Sequence, residues 1–240
     1  MEISPDTMVF WQWGPVMVNA TLVFTWLVMG LLGTGSWWIT RRLSTDVTLS
    51  RWQNLLEVLV SGIRDQIQQT SGQDPDPYLP FVGTLFIFIA TANLLEIIPG
   101  YHPPTGSLST TAALALCVFL AVPIYGIRRQ GLRAYFHHYL QPTPLMLPFH
   151  VISELSRTLA LAVRLFGNVM SDGLIVAILL SIAPLFFPVI MQMLGLLTGL
   201  IQAYIFAMLA IVYIASASQT VENRLQSDTT PPADEEPPYG

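Results

Sequence analysis

Arg164 stands inside an apolar run, preceded by Leu159, Ala160, Leu161, Ala162 and Val163 and followed by Leu165 and Phe166. A guanidinium stays charged in such surroundings. At the centre of a membrane helix it costs ~2.5–3.5 kcal/mol on insertion scales, so it must face protein or water rather than lipid. Either it holds a structural ion pair or it handles charge that moves. The neighbours extend the second reading. His150, Glu154, Arg157, Leu161, Arg164, Asn168 and Asp172 follow one another at steps of three or four, so they share a helical face, and six of these seven are polar. Such a stripe lines a water-filled path, or it is a self-satisfied ladder with Glu154 paired to Arg157 and Asp172 held by a backbone donor. For Arg157 the ladder is the better reading.

A second polar line runs through Gln192, Gly195, Gly199 and Gln202. Gly195 and Gly199 form a GxxxG pair, which allows helices to approach closely. The Gln202 amide is surrounded by apolar residues and needs partners. Stacking the two helices offers one, with Arg164 and Gln202 face to face. Asn93 and Glu96, three residues apart, sit near the end of another apolar segment. A carboxylate there lines an aqueous vestibule or snorkels to the interface. His102, His137 and His138 lie in connections without metal-ligand spacing. No nucleotide-binding loop, catalytic triad or zinc motif is present, and nothing calls for a cofactor.

The elements that carry these residues belong in a bilayer. The chain has 240 residues, 52% of them hydrophobic and only 10% charged, against about 25% charged in soluble domains. Its mean hydropathy is +0.56. All ten basic residues are Arg and none clusters as a nucleic-acid surface would require; the single cysteine, Cys117, cannot form an internal disulfide. Apolar spans are predicted at about 16–40, 79–98 and 108–127. An amphipathic helix over about 47–69, carrying Trp52, Leu55, Leu56, Leu59, Ile63 and Ile67 at helical spacing, is predicted to lie on the membrane surface.

Two more apolar segments cover about 149–183 and 189–224, separated by Pro184 and Pro188. Each is too long for an upright crossing of a ~30 Å hydrocarbon core and must tilt, kink or run along the membrane. Residues 1–230 are thus expected to form one membrane domain, with an acidic, Pro-rich disordered tail at 226–240. The segments bearing Arg41, Arg42, Arg51 and Arg64, and Arg128, Arg129 and Arg133, belong in the cytoplasm by the positive-inside rule. Five crossings then put the N-terminus outside and the tail inside. No internal repeat supports an inverted-repeat transporter.

Three stretches carry a family resemblance. Leu159-Ala160-Leu161-Ala162-Val163-Arg164-Leu165-Phe166-Gly167-Asn168 resembles the signature of subunit a of F-type ATP synthases. Gln202-Ala203-Tyr204-Ile205-Phe206 with Ile211-Val212-Tyr213 resembles its second signature, and Asn93-Leu94-Leu95-Glu96-Ile97-Ile98-Pro99 its Asn-Leu-x-acidic-x-x-Pro segment. The resemblance implies an all-α integral membrane protein: three upright helices, a surface amphipathic helix and a hairpin of two long tilted helices against a ring of c subunits. It implies a non-catalytic stator subunit of the bacterial inner membrane that moves H+ or Na+, alongside peripheral-stalk subunit b and the soluble ATPase sector. Arg164 matches the essential arginine, and Asn168 and Gln202 match polar partners near it. Asp172, Glu96, Glu154, His150 and Asn93 are the half-channel lining expected from the polar faces. Where the family often has an acidic residue and a His or Glu, this chain has Gly173 and Gly195. The stretch Pro148 to Arg157 resembles the N-ATPase branch, associated with sodium. Against these expectations stand a stand-alone secondary transporter and a purely structural scaffold.

Overall fold

The computed structural model describes residues 9–13, 16–41, 51–72, 74–98, 100–131, 147–182 and 187–229. Among the described residues two short strands, β1 (Val9–Trp13) and β2 (Val16–Asn19), precede six α-helices: α1 (Ala20–Thr40), α2 (Arg51–Ser71), α3 (Leu79–Leu94), α4 (Leu108–Gln130), α5 (Leu147–Ile182) and α6 (Phe187–Thr229). Apart from the hairpin, the fold is all-α. Five of the helices, all but α2, are long and apolar enough to cross a membrane.

The first span is shorter than its hydropathy suggests. Residues 16–19, expected in it, instead pair antiparallel with β1, Trp11 opposite Val18 and Trp13 opposite Val16. β-branched and aromatic residues favour a strand, and hydropathy alone does not separate strand from helix here. At the other end α6 continues through Thr229, so residues 226–229 are helix rather than tail; residues 230–240 lie outside the described residues. So do residues 47–50 of the expected surface helix.

Helix α3 starts with Pro80 in its first turn, where the missing N–H costs no hydrogen bond. It ends in a single 3-10 turn over Leu95–Ile97. The α3–α4 connection then turns at Gly100, whose φ of 89° suits glycine. Helix α4 stops at Gly131, whose N–H bonds the Ile127 carbonyl at 2.8 Å. Helices α5 and α6 have 36 and 43 residues, about 54 and 65 Å at 1.5 Å per residue.

The core joins α3, α4, α5 and α6 through Leu85, Ile89, Val118, Leu161, Leu165 and Phe206. A second cluster attaches α2, with Ile67 against Tyr78, Val82, Ile211 and Ile214. The apolar stripe of α2 therefore turns at its C-terminal end onto α3 and α6, and Arg64 pairs with Asp76 at 2.8 Å across the turn that follows. Outside the core, many large apolar side chains are exposed, among them Trp26, Leu116, Leu159 and Ile178. That surface suits lipid, not water.

Candidate functional site

Helix α5 buries Leu161, Ala162, Leu165 and Val169 in the core. Arg164 lies off that face and is exposed. Among the described residues it has no hydrogen bond or ion pair. Ala160, Gly167 and Ser171, one turn apart on either side, are exposed with it. Arg164 thus projects from a strip of small residues that leaves room for another helix to come close. The sequence pattern had placed Leu161 on the polar stripe; it is 1% exposed and belongs to the core.

Asn168 and Gln202 meet where α5 crosses α6. Asn168 Nδ2 donates to Gln202 Oε1 at 2.7 Å. Gln202 is 2% exposed. Asn168 therefore takes the place that helix stacking had suggested for Arg164, one helical turn further along α5. Gly199 explains how the helices come together here. Asn93 Nδ2 donates to the Gly199 carbonyl at 3.0 Å, and Thr105 donates to Asn93 Oδ1 at 2.7 Å. A Cβ on Gly199 would lie 2.8 Å from the Asn93 Cβ. Asn93 is 1% exposed, and these two bonds make it a clamp of α3, α6 and the α3–α4 connection.

A cavity of about 420 Å³ opens beside this junction, below the α3–α4 connection. Glu96 and Asp172 both line it, as do Tyr101, His102 and Gln192. Gly173 and Gly195 also form its wall, so the two positions where side chains are missing lie at the space those side chains would take. Gln192 Nε2 donates to the Glu96 carbonyl at 3.3 Å, holding the 3-10 turn against α6. Burial first, and the Glu96 charge second, push the Tyr101 hydroxyl well above its ordinary pKa, so it stays a neutral phenol. Its ring packs edge-on to Phe24 of α1, with centroids 4.9 Å apart.

The remaining candidates lie at the other end of α5. His150 is exposed and Glu154 half-buried, about 21 and 15 Å along the axis from Arg164 at 1.5 Å per residue. Asp172 lies about 12 Å the other way. Glu154 and Arg157 form no ion pair among the described residues. Arg157 instead sits over the Tyr213 ring, 5.6 Å from its centroid, a cation–π contact that ties α5 to α6. No cluster of metal-ligating side chains occurs among the described residues. Sequence reasoning passed over Tyr101 and Thr105, because loop residues carry no periodic signal; their only cue is a polar group in a connection between two spans.

Fold and site together define a multi-pass membrane protein with a charge on a long helix that has no ion pair among the described residues, and a carboxylate-lined cavity beside it. The family model described as ATP synthase A chain matches residues 22–215. The chain is 66% identical over 229 residues to ATP synthase subunit a 2 of Acaryochloris marina (strain MBIC 11017), covering 95% of this chain and 98% of that one. It is 62% identical over 216 residues to ATP synthase subunit a 1 of Crocosphaera subtropica (strain ATCC 51142 / BH68), covering 90% and 94%. It is also 61% identical over 222 residues to ATP synthase subunit a 1 of Chlorobaculum parvum (strain DSM 263 / NCIMB 8327), covering 92% and 98%. The chain belongs to the ATP synthase A chain family.

Proposed function

We propose that this chain is the ion-conducting stator of a rotary ATP synthase, with Arg164 as the charge that separates two half-channels. The observation that carries the reading is an exposed guanidinium in mid-span without an ion pair among the described residues. Facing lipid, that charge is costly. Facing a carboxylate of a neighbouring c subunit, it is matched, and the small residues around it permit that approach.

The mechanism follows from a fixed positive charge. A ring carboxylate arrives carrying its ion and is neutral overall. Near Arg164 the ionised form is favoured, so the ion leaves. The bare carboxylate passes Arg164 and reloads from the other half-channel. The cavity with Glu96 and Asp172 serves one side, and the His150–Glu154 end of α5 serves the other. Arg164 blocks direct leakage between them. Each ion yields ~2.3 kcal/mol per 100 mV, so several must cross for each ATP. H+ and Na+ run the same cycle, since the ring carboxylate selects the ion. Arginine placement puts the α3–α4 connection outside a bacterial inner membrane and the C-terminus in the cytoplasm. Subunit b and the catalytic sector complete the machine; this chain itself hydrolyses nothing.

The test is Arg164→Ala in the assembled complex, reconstituted in vesicles. ATP-driven ion uptake should be abolished at unchanged subunit content. Near-normal coupled uptake would overturn the reading.

A further inference from the structure

Between the large cavity and the Asn168–Gln202 pair lies a second, far smaller one of about 10 Å³. The two share Glu96, Val169, Asp172 and Gly195 in their walls, so the small one is an inward neck of the large one. Asn168 and Gln202 line the small one and not the large one.

The Gln202 amide is half satisfied. Its Oε1 accepts from Asn168, but its Nε2 is buried without an acceptor among the described residues. Leaving a buried donor unpaired costs about 1–3 kcal/mol. Asn93, across the neck, accepts from Thr105 through its Oδ1, and no oxygen among the described residues is within hydrogen-bonding reach of Gln202 Nε2. An acceptor must therefore come from within the neck. Its volume is close to that of one water-sized sphere, and a water there needs two to four polar partners. The space is too small for a hydrated cation or an organic ligand. Asp172 supplies the second partner: a Cβ built on Gly195 would lie 3.9 Å from the Asp172 Cβ and 4.0 Å from its Oδ2, which sets that carboxylate against the Gly195 wall.

We infer that the neck is a single-water site, in which one water accepts from Gln202 Nε2 and donates to an Asp172 carboxylate oxygen. It connects the carboxylate cavity by hydrogen bonds to the polar pair one turn from Arg164. The absent side chain at Gly195 keeps the site open. What the link is for rests on the proposed stator function; the site itself does not.

The assembled complex should be imaged by electron cryomicroscopy at a resolution that shows ordered waters. Density is expected within hydrogen-bonding distance of both Gln202 Nε2 and the Asp172 carboxylate. A Gln202 Nε2 bonded directly to a protein oxygen across a closed neck would overturn the site. In parallel, Gly195→Ala adds a methyl group that meets only ordinary contacts, so the fold tolerates it while the neck fills. The variant should lose the water and most of its ion flux per assembled complex. Gly62→Ala on α2, where a Cβ meets nothing within 4 Å, should keep full flux. Full flux in Gly195→Ala would overturn the link even if Arg164→Ala abolishes coupling, so the two ideas fail separately.

Discussion

Asp172 and Glu96 come from different helices to one cavity, and under the proposed function their charge would act on a cation on its way through that cavity. A unit charge about 10 Å away contributes about 1.7 kcal/mol at an effective dielectric constant of about 20. Removing it should weaken ion entry roughly tenfold. Asp172→Asn is therefore expected to raise the half-saturating ion concentration by about that factor, with little change at saturation, because access is impaired and the Arg164 step is not. Glu96→Gln should act in the same direction but less, since Glu96 sits on the terminal 3-10 turn of α3 rather than on the helix that carries Arg164. Transport per assembled complex across an ion titration is the measurement. An unshifted curve for Asp172→Asn, with less complex assembled, would make Asp172 a brace for α5 and remove it from the path.

At the level of elements, the approach of α3 to α6 depends on Gly199. A methyl group there would meet the Asn93 Cβ at 2.8 Å, and a Cβ cannot swing aside as a side-chain tip can. The helices would have to separate, and the Asn93 bond to the Gly199 carbonyl would go with them. Overpacking of this kind costs about 1–3 kcal/mol. Gly199→Ala should lower the yield and melting temperature of detergent-solubilised complex, while Gly83→Ala, with nothing within 4 Å of its Cβ, should not; equal stability of the two variants would remove the clamp. This junction also marks how far the sequence can be read. Spans α3 and α4 were legible because about twenty apolar residues match the bilayer, and the stripe of α2 because its period is helical. Gly195, Gly199 and Gln202 were legible as one face of α6. Their partners were not. Periodicity fixes the angle of a residue about its own helix axis, but not how far one helix slides along another. A shift of one turn decides whether Gln202 meets Arg164 or Asn168. The loop clamp through Thr105 and the strand at residues 16–19 have no helical period to reveal them.

For the whole molecule, orientation is an electrostatic question. Helix α4 runs from the α3–α4 connection, which contains no Lys or Arg, to Arg128 and Arg129 at its far end. Under the proposed function, cytoplasmic retention of basic ends would put the connection, the carboxylate cavity and its neck on the outer side of the membrane. The cavity would fill from outside, and His150 with Glu154 would serve the cytoplasmic side. Labelling can decide this in intact cells. Ser107, in the connection, is fully buried and would not react, whereas Ser109, at the start of α4, is exposed. In a Cys117→Ser background, Ser109→Cys should react with an impermeant thiol reagent applied from outside, and Ser227→Cys should react only after the membrane is opened. The opposite pattern would invert the molecule. Arg164 would keep its place between the two ends, but the carboxylate cavity would then open to the cytoplasm, and the sense of rotation for a given ion gradient would reverse.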